Sequence, residues 1–419
     1  MVVAVVAPGQ GAQKPGFLTP WLELPRAAAQ LSWWSQLAGT DLLRLGTVAD
    51  AAEIKDTAKT QPLLVAAGLL AAAQLPMDDV SVVAGHSVGE IVAAQLSGVL
   101  SAEAAIGLAA LRGAQMAAAC ALAPTGMSAL LGGDPETVAE HVAAAGLFAA
   151  NRNSASQVVV AGPLKGLQQL AEHPPPRTRV VPLEVAGAFH TAAMQPAQDA
   201  LARLAMGITV SDPHKIMISN ADGTAVHSGT ATLSRLVAQL TLPVRWDLCQ
   251  ACLVDLGVTA IIELPPAGTL IGLARRELKG GGLRGTELRG VEFRGIELLA
   301  INTPDDLAAA RALIARHGPL SSEPSMHFQI VVTAAAGIFE PAELTEGAWV
   351  DRTTTIGLVR NRQGDVPIKA PGTGILTEWL ADPGDPVANG QPVARVQTDS
   401  GLNAEASHQS LSSTARTPA

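Results

Sequence analysis

Tyrosine is missing altogether from these 419 residues, and Phe and Trp bring the aromatic share to only 3%. A core so short of rings has to be filled by Leu, Val and Ala, with helices packed on strands, and the 48% hydrophobic content supplies enough of them. Cysteine is nearly as scarce: three residues cannot make a disulfide framework, which points to a reducing compartment. No apolar run reaches the roughly 18 residues, free of charge and turn formers, that a membrane span needs. The start MVVAVVAPGQ also lacks the basic stretch and long apolar segment of a secretory leader, so a cytoplasmic protein without a membrane partner is expected. Nor is there a block of Lys and Arg. The net charge of -9 is spread along the chain, which argues against nucleic acid as a partner.

What is present is a chain long enough for two or three compact units. Short apolar runs at Val2 to Ala7, SVVAGHS (81 to 87), KIMISNADG (215 to 223) and VTAIIEL (258 to 264) each adjoin helical patterns. Strands alternating with helices predict an α/β fold with a parallel sheet covered on both faces. Between Gly126 and Ala188 the order becomes strand, helix, strand, strand, helix, strand, the pattern of a small ferredoxin-like unit, so an insertion over about 124–188 is expected. A helix over 304–317 (PDDLAAARALIARH) is predicted from its Pro start, acidic first turn and basic end. Just before it, LRGTE, LRGVE and FRGIE (283–297) read as a duplicated surface connection, and GPLSSEPS after it as a linker. The expected division is therefore a first domain over 1–315, a linker over 316–325, a second domain over 326–399 and a disordered tail over 400–419.

The stretch AGHSVGEIVA (84–93) sets a serine in a G-x-S-x-G frame. SVVAGHS reads as a strand and VGEIVAAQLSGV as a helix, with Val88, Val92, Leu96 and Val99 along one stripe. Ser87 then sits on a tight strand-to-helix bend, with helix-start amides behind it where negative charge would develop. Gly85 and Gly89 fit this picture, because a side chain at either place would crowd the bend.

A serine hydroxyl is a weak nucleophile and needs a base. Of nine histidines, His190 in EVAGAFHTAAM stands at a strand end just before a helix, the kind of place that faces a cleft. A hydrolase of the ordinary chain order needs an acid between the serine and the histidine. Asp134 reads as a helix cap, and Glu184 is the one other acid near a strand end, which counts against a lipase or esterase. His86 reads as a support for the bend, Asn153 and Asn220 as cleft-lining asparagines, and Cys249 and Cys252 as small residues on a helix rather than a redox pair.

GQGAQ (9–13), GHSVGE (85–90), LRGAQM (111–116), GAFH (187–190) and LPVRW (242–246) stand in the order and approximate spacing of malonyl-CoA:acyl-carrier-protein transacylases, and the chain resembles that family over residues 1 to about 315. The resemblance implies a hydrolase-like α/β core with a ferredoxin-like insertion. It implies that Ser87 is acylated, that His190 is its base, and that the backbone carbonyl of Gln239 orients the imidazole in place of an acid. Backbone N–H groups of Gln10 and Val88 would form the oxyanion hole. Arg112 would grip the free carboxylate of a malonyl group, with Met116 and Phe189 shaping the pocket. GAFH is similar to the HAFH form of malonyl-selective members, with Gly187 in place of the first His. Malonyl-CoA and an acyl carrier protein are the implied partners, and no metal or other cofactor is needed.

Beyond Met326 the sequence repeats itself. Gly337, Ile338, Gly347, Val350, Ile356 and Val359 recur 37 residues later as Gly374, Ile375, Gly384, Val387, Val393 and Val396, which predicts two equivalent all-β halves. The segment 370–396 resembles the second half of a biotinyl or lipoyl domain. Such domains carry a lysine on the hairpin between the halves, and here Gln363 falls there, with Lys369 on the following strand. The expectation is a small flattened barrel without biotin or lipoate, serving as a docking or spacing element. Two rival readings share part of this pattern: a serine hydrolase of acyl thioesters, and a catalytically idle scaffold.

Overall fold

The computed structural model describes residues 1–280, 295–318 and 327–398. Most of the LRGxE repeat, most of the expected linker and the whole expected tail lie outside them. The chain divides into two compact units, Met1–Leu320 and Ser321–Ala419. Among the described residues no helix is long and apolar enough to cross a membrane.

In the first unit the strands are β1 (Val2–Ala7), β2 (Val82–Gly85), β3 (Thr125–Gly132), β4 (Phe148–Ser154), β5 (Gln157–Pro163), β6 (Thr178–Leu183), β7 (Ile216–Ile218), β8 (Ala225–Val226), β9 (Val258–Glu263) and β10 (Glu297–Ala300). Six of them form a sheet in the order β10-β9-β1-β2-β7-β8, parallel except for β8. Val3 to Ala7 are buried without interruption, as expected of a parallel strand with helices on both faces. From β1 the chain winds first toward β2 and β7 and later back to β9 and β10, so the strand order reverses beside β1. Ala7 pairs with Gly85, which brings the GQGAQ loop and the serine bend side by side at the carboxyl ends of β1 and β2. Open parallel sheets form their ligand crevices at such a place.

Two helices cover this end. Thr57–Ala72 is buried along nearly its whole length and is capped by Asp56, whose side chain accepts from the Ala58 amide. Ala102–Cys120 is capped by Ser101, whose hydroxyl accepts from the Ala104 amide. The helix after the serine is shorter than expected. It runs Gly89–Leu96, because Gly98 takes φ +85 and turns the chain, so Val99 is buried beyond the helix rather than on its stripe.

The expected insertion is a four-stranded antiparallel sheet in the order β4-β5-β3-β6, with helices Pro135–Ala144 and Leu164–Glu172 packed through Val138, Val142, Leu167 and Leu170. Asp134 caps the first of these helices, as its sequence position indicates. The helix Leu307–His317 continues past the expected domain end at 315, because His317 is buried and held between Glu297 and Thr259.

The second unit contains β11 (His327–Val332), β12 (Gly337–Pro341), β13 (Trp349–Val350), β14 (Thr355–Asn361), β15 (Gly364–Lys369), β16 (Gly374–Trp379), β17 (Pro386–Val387) and β18 (Pro392–Thr398). They form two four-stranded sheets, β11-β18-β16-β13 and β15-β14-β12-β17. The 37-residue offset carries β12 onto β16, β13 onto β17 and β14 onto β18. Each short strand pairs with the opposite half: β13 with β16, and β17 with β12. The repeat also sets the core. Phe339, Val350, Ile356 and Val359 and their counterparts Leu376, Val387, Val393 and Val396 are all buried together.

Candidate active site

The bend between β2 and its helix depends on two glycines. A Cβ on Gly85 would come within 2.0 Å of the Gly89 backbone, and one on Gly89 within 2.2 Å of the Ala7 carbonyl oxygen. Closing the turn in so little space puts Ser87 in the left-handed region at φ 54, a costly conformation for a residue with a side chain. Asn220, fully buried beneath the bend, holds it. Its Oδ1 accepts from the Ser87 amide at 2.8 Å and its Nδ2 donates to the Gly85 carbonyl at 2.7 Å. His86 braces the other side, bonding Asn153 Oδ1 through Nε2 at 2.9 Å and meeting Trp246 edge-on. The two asparagines thus support the bend rather than line a cleft.

Ser87 Oγ lies 2.8 Å from His190 Nε2, and His190 Nδ1 lies 2.8 Å from the backbone carbonyl of Gln239. A carbonyl can only accept, so Nδ1 carries the proton and the Nε2 lone pair faces the hydroxyl. His190 itself is held at φ 60 and is buried. Burial first, then the positive charge of Arg112, push its pKa down to about 3, so the imidazole is neutral in the unliganded protein.

Arg112 and Met116 stand one turn apart on the buried face of the helix Ala102–Cys120. The guanidinium is buried, yet among the described residues no carboxylate is in contact with it. Nη1 donates to Gln61 Oε1 at 2.8 Å, and Nη2 donates to Gln239 Oε1 at 2.7 Å and to Ser87 Oγ at 3.3 Å. Desolvation lowers its pKa to about 10, which still leaves it charged at neutral pH. Gln61 also donates to Met116 Sδ at 3.2 Å, so one glutamine ties the cation to the soft side chain beside it. The structure therefore brings Ser87, His190, Arg112, Met116 and Gln239 into one contact network.

Phe189 is buried next to the base. A Cβ at Gly187 would lie 2.5 Å from Cys120 Sγ, so the last residue of the arginine-bearing helix occupies the space that a larger residue would need. The Gln10 side chain donates to Thr57 Oγ1 at 3.4 Å. Among the described residues the backbone N–H groups of Gln10 and Val88 have no intramolecular acceptor. Glu184 is exposed and pairs with Lys55, away from the imidazole. Cys249 is buried and donates to the Ser219 carbonyl at 3.4 Å; Cys252 is partly buried, and both are free thiols. Among the described residues no group of three or more His, Cys, Asp or Glu side chains is placed to hold a metal ion.

Two participants had no role in the sequence reading, Gln61 and Glu90. Glu90 is 2% exposed, and burial raises its pKa to about 7. Its signal was present in GHSVGE: an acid on the inward stripe of an apolar helix has to find partners inside the protein.

In the second unit the β14–β15 hairpin turns at Arg362 and Gln363, both exposed, and the Gln363 amide donates to Asn361 Oδ1 at 2.8 Å. Lys369 lies on β15, and its Nζ donates to the Thr353 carbonyl and to Thr355 Oγ1, each at 2.8 Å.

The family model described as acyl transferase domain matches residues 5–289. The chain is 54% identical over 284 residues to the malonyl CoA-acyl carrier protein transacylase of Mycobacterium tuberculosis (strain ATCC 25618 / H37Rv), covering 67% of this chain and 94% of that protein. To the protein of the same name from Mycolicibacterium smegmatis it is 52% identical over 298 residues, covering 69% and 98%. The crystal structure of MCAT from Mycobacterium tuberculosis superposes with a TM-score of 0.69 at 50% identity, covering 74% of this chain and 100% of that one. A malonyl-transacylase solved in complex with a type II PKS acyl-carrier protein superposes at 0.66 with 28% identity, covering 75% and 100%.

Proposed function

The chain belongs to the acyl transferase domain family, and from that premise we propose that it is a malonyl-CoA:acyl-carrier-protein S-malonyltransferase supplying malonyl units for fatty-acid or polyketide synthesis. The observation that carries this reading is the placement of one hydroxyl, Ser87 Oγ, within 2.8 Å of a neutral imidazole and 3.3 Å of a buried guanidinium that pairs with no carboxylate among the described residues.

In the first half-reaction His190 Nε2 takes the Ser87 proton as Oγ attacks the thioester carbonyl of malonyl-CoA. The carbonyl oxygen becomes an oxyanion, received by the backbone N–H groups of Gln10 and Val88. Each such donor contributes on the order of 3 kcal/mol in acyl-transfer sites. Collapse of this intermediate breaks the C–S bond, and the imidazolium returns its proton to the departing CoA sulfur. In the second half-reaction His190 takes the proton of the carrier protein's phosphopantetheine thiol, the sulfur attacks the malonyl-serine ester, and Oγ leaves with that proton. Ester and thioesters interconvert without redox change, so the chemistry calls for no metal or redox cofactor.

Arg112 provides the selection. A malonyl carboxylate pairs with its free N–H groups, while an acetyl group leaves a buried cation uncompensated. The same pairing acts on the base. Arg112 depresses the basicity of His190, so an acyl anion that neutralises Arg112 makes His190 a better proton acceptor as the correct substrate arrives. Phe189 and Met116 limit the space beside the acyl chain. Discrimination against one extra methyl group is therefore expected to be modest, about 1 to 3 kcal/mol.

The strand orders support a hydrolase-like core with a ferredoxin-like insertion in the first unit, and the two interlocked halves support a biotinyl/lipoyl-like flattened barrel in the second. The second unit is read as an unmodified docking or spacing module of a cytoplasmic enzyme. The test is intact-mass analysis after mixing with malonyl-CoA. One malonyl adduct on Ser87, discharged only by a carrier protein bearing its thiol, supports the proposal. Rapid release of free malonate without carrier identifies a hydrolase instead, and no adduct at all identifies an idle scaffold.

A further inference from the structure

The site holds a second buried ionisable group that the transfer chemistry does not use. Glu90 lies three residues after Ser87, under the bend. Its Oε1 accepts from the Asn220 amide at 3.0 Å, and its Oε2 accepts a short hydrogen bond from Gln239 Nε2. Gln239 is itself 5% exposed and faces three ways. Its backbone carbonyl orients His190, its side-chain Oε1 accepts a hydrogen bond from Arg112 Nη2, and its Nε2 also lies 3.3 Å from both the Ser87 carbonyl and Asn220 Oδ1.

An amide group has two ends of opposite character, and its surroundings decide which way it points. Around Nε2 of Gln239 there are only acceptors: Glu90 Oε2, Ser87 O and Asn220 Oδ1. Against Oε1 there is a donor, the Arg112 guanidinium. Reversing the amide would press an oxygen against three acceptors and an NH2 against a cation. Among the described residues no direct ion pair joins Glu90 to Arg112, and the Gln239 amide is the one side chain that bonds both of these buried groups. It is also the residue whose carbonyl fixes the imidazole tautomer.

We propose that Glu90 is a positioning residue for malonyl transfer: its carboxylate locks the Gln239 amide so that one residue holds both the acyl-anion receptor Arg112 and the base His190 in register with Ser87. The carboxylate touches neither substrate nor reacting atoms. It acts through Gln239 on the acyl pocket and through Asn220 on the bend that presents the serine. The inference deepens the malonyl-transfer reading and rests on it.

The test compares the full-length parent with Glu90→Gln, which keeps shape but sets a donor against either the Asn220 amide or the Gln239 amide. Malonyl-CoA and acetyl-CoA are the paired probes, since only the first needs Arg112. Loss of a charge-assisted hydrogen bond predicts a fall in malonyl transfer on the order of 10- to 100-fold, with a smaller fall for acetyl, so the malonyl preference narrows. The pH profile is the second readout. The titratable groups facing Glu90 are Arg112 from the helix Ala102–Cys120 and the Cys249 thiol, while Ser219, Asn220 and Gln239 are its neutral partners. Arg112 keeps its charge and Cys249 its proton at neutral pH, and His190 is already neutral. An inflection near pH 7 that the parent shows and Glu90→Gln lacks is therefore the signature of Glu90, and one that both share belongs to another group.

If Glu90→Gln does not fold, Gln239→Met answers the same question. It keeps the backbone carbonyl that orients His190 and removes only the amide, and malonyl preference should narrow as before. A folded variant with the parent's malonyl preference and pH profile overturns the positioning role. A parent that forms no malonyl-serine overturns the transfer reading and this inference with it, whereas a parent that malonylates normally beside an unaltered variant overturns the inference alone.

Discussion

Two tight turns at strand ends invite comparison: the bend at Ser87 after β2, and the hairpin at Gln363 between β14 and β15. Each stands where its sequence resemblance puts covalent chemistry. At Ser87 the backbone is forced to φ 54, buried asparagines and a histidine brace it, and a base and a cation converge on one oxygen. At Gln363 the turn is exposed, its side chain faces no buried partner set, and the nearest lysine is tied to Thr353 and Thr355. The difference lies in convergence. A reactive group works where fixed, desolvated polar groups point at one atom, and a solvated hairpin can only present a group for another protein to use.

The comparison is broken most directly by Ser87→Ala. Malonyl transfer should fall by about a thousandfold or more while the unfolding temperature stays close to the parent's, as radiolabel transfer and calorimetry would read. Next comes Arg112→Ala. Malonyl transfer should drop on the order of a hundredfold with acetyl transfer relatively preserved, measured with both CoA esters. Equal loss for the two acyl groups would remove Arg112 from its assigned role.

A smaller effect tests the bend itself. Gly89→Ala should destabilise the first unit by ~3 kcal/mol through overpacking against the Ala7 carbonyl, read by chemical denaturation. Gly384→Ala, at φ 90 in an open turn of the second unit with nothing within 4 Å of an added Cβ, carries only the local backbone strain and should cost less.

The buried titrating pair gives a subtler contrast. His190 is lowered from 6.5 to about 3, so the unfolded chain binds the extra proton between those values and His190 makes stability rise with pH up to about 6.5. Glu90 is raised from 4.5 to about 7, so the folded chain holds the extra proton and its contribution, complete below 4.5, is lost as pH rises to about 7. The two oppose each other between about 4.5 and 6.5. In Glu90→Gln the His190 slope remains alone, so the variant's unfolding temperature should gain on the parent's as pH rises through that window. The smallest effect is expected at the other turn: Gln363→Lys should leave malonyl transfer unchanged, and intact mass of the parent should show neither biotin nor lipoate.

Periodicity and turn chemistry made much of the architecture legible. The apolar run Val2 to Ala7 reads as a buried strand beside helical patterns, and the strand-helix order of 126–188 marks a separate antiparallel sheet, because alternating and continuous burial leave different residue patterns. The helix end at Leu96 was missed because a glycine within an otherwise helical stripe reads as tolerated until its φ is known. Glu90 and Gln61 were missed for a different reason: a polar side chain's value depends on partners far away in the chain, and no local spacing encodes them.

By itself the sequence determined the frame around Ser87 and the 37-residue repeat, since each is written in contiguous residues whose spacing is set by strand and helix geometry, whereas His190 and Arg112 were singled out with the help of the family resemblance. Only the tertiary structure decided that a single glutamine, Gln239, serves His190 with its backbone and Arg112 with its side chain, and that a carboxylate beneath fixes its direction. That decision depends on which donors and acceptors are left facing one another once water is excluded, and only the packed chain determines that.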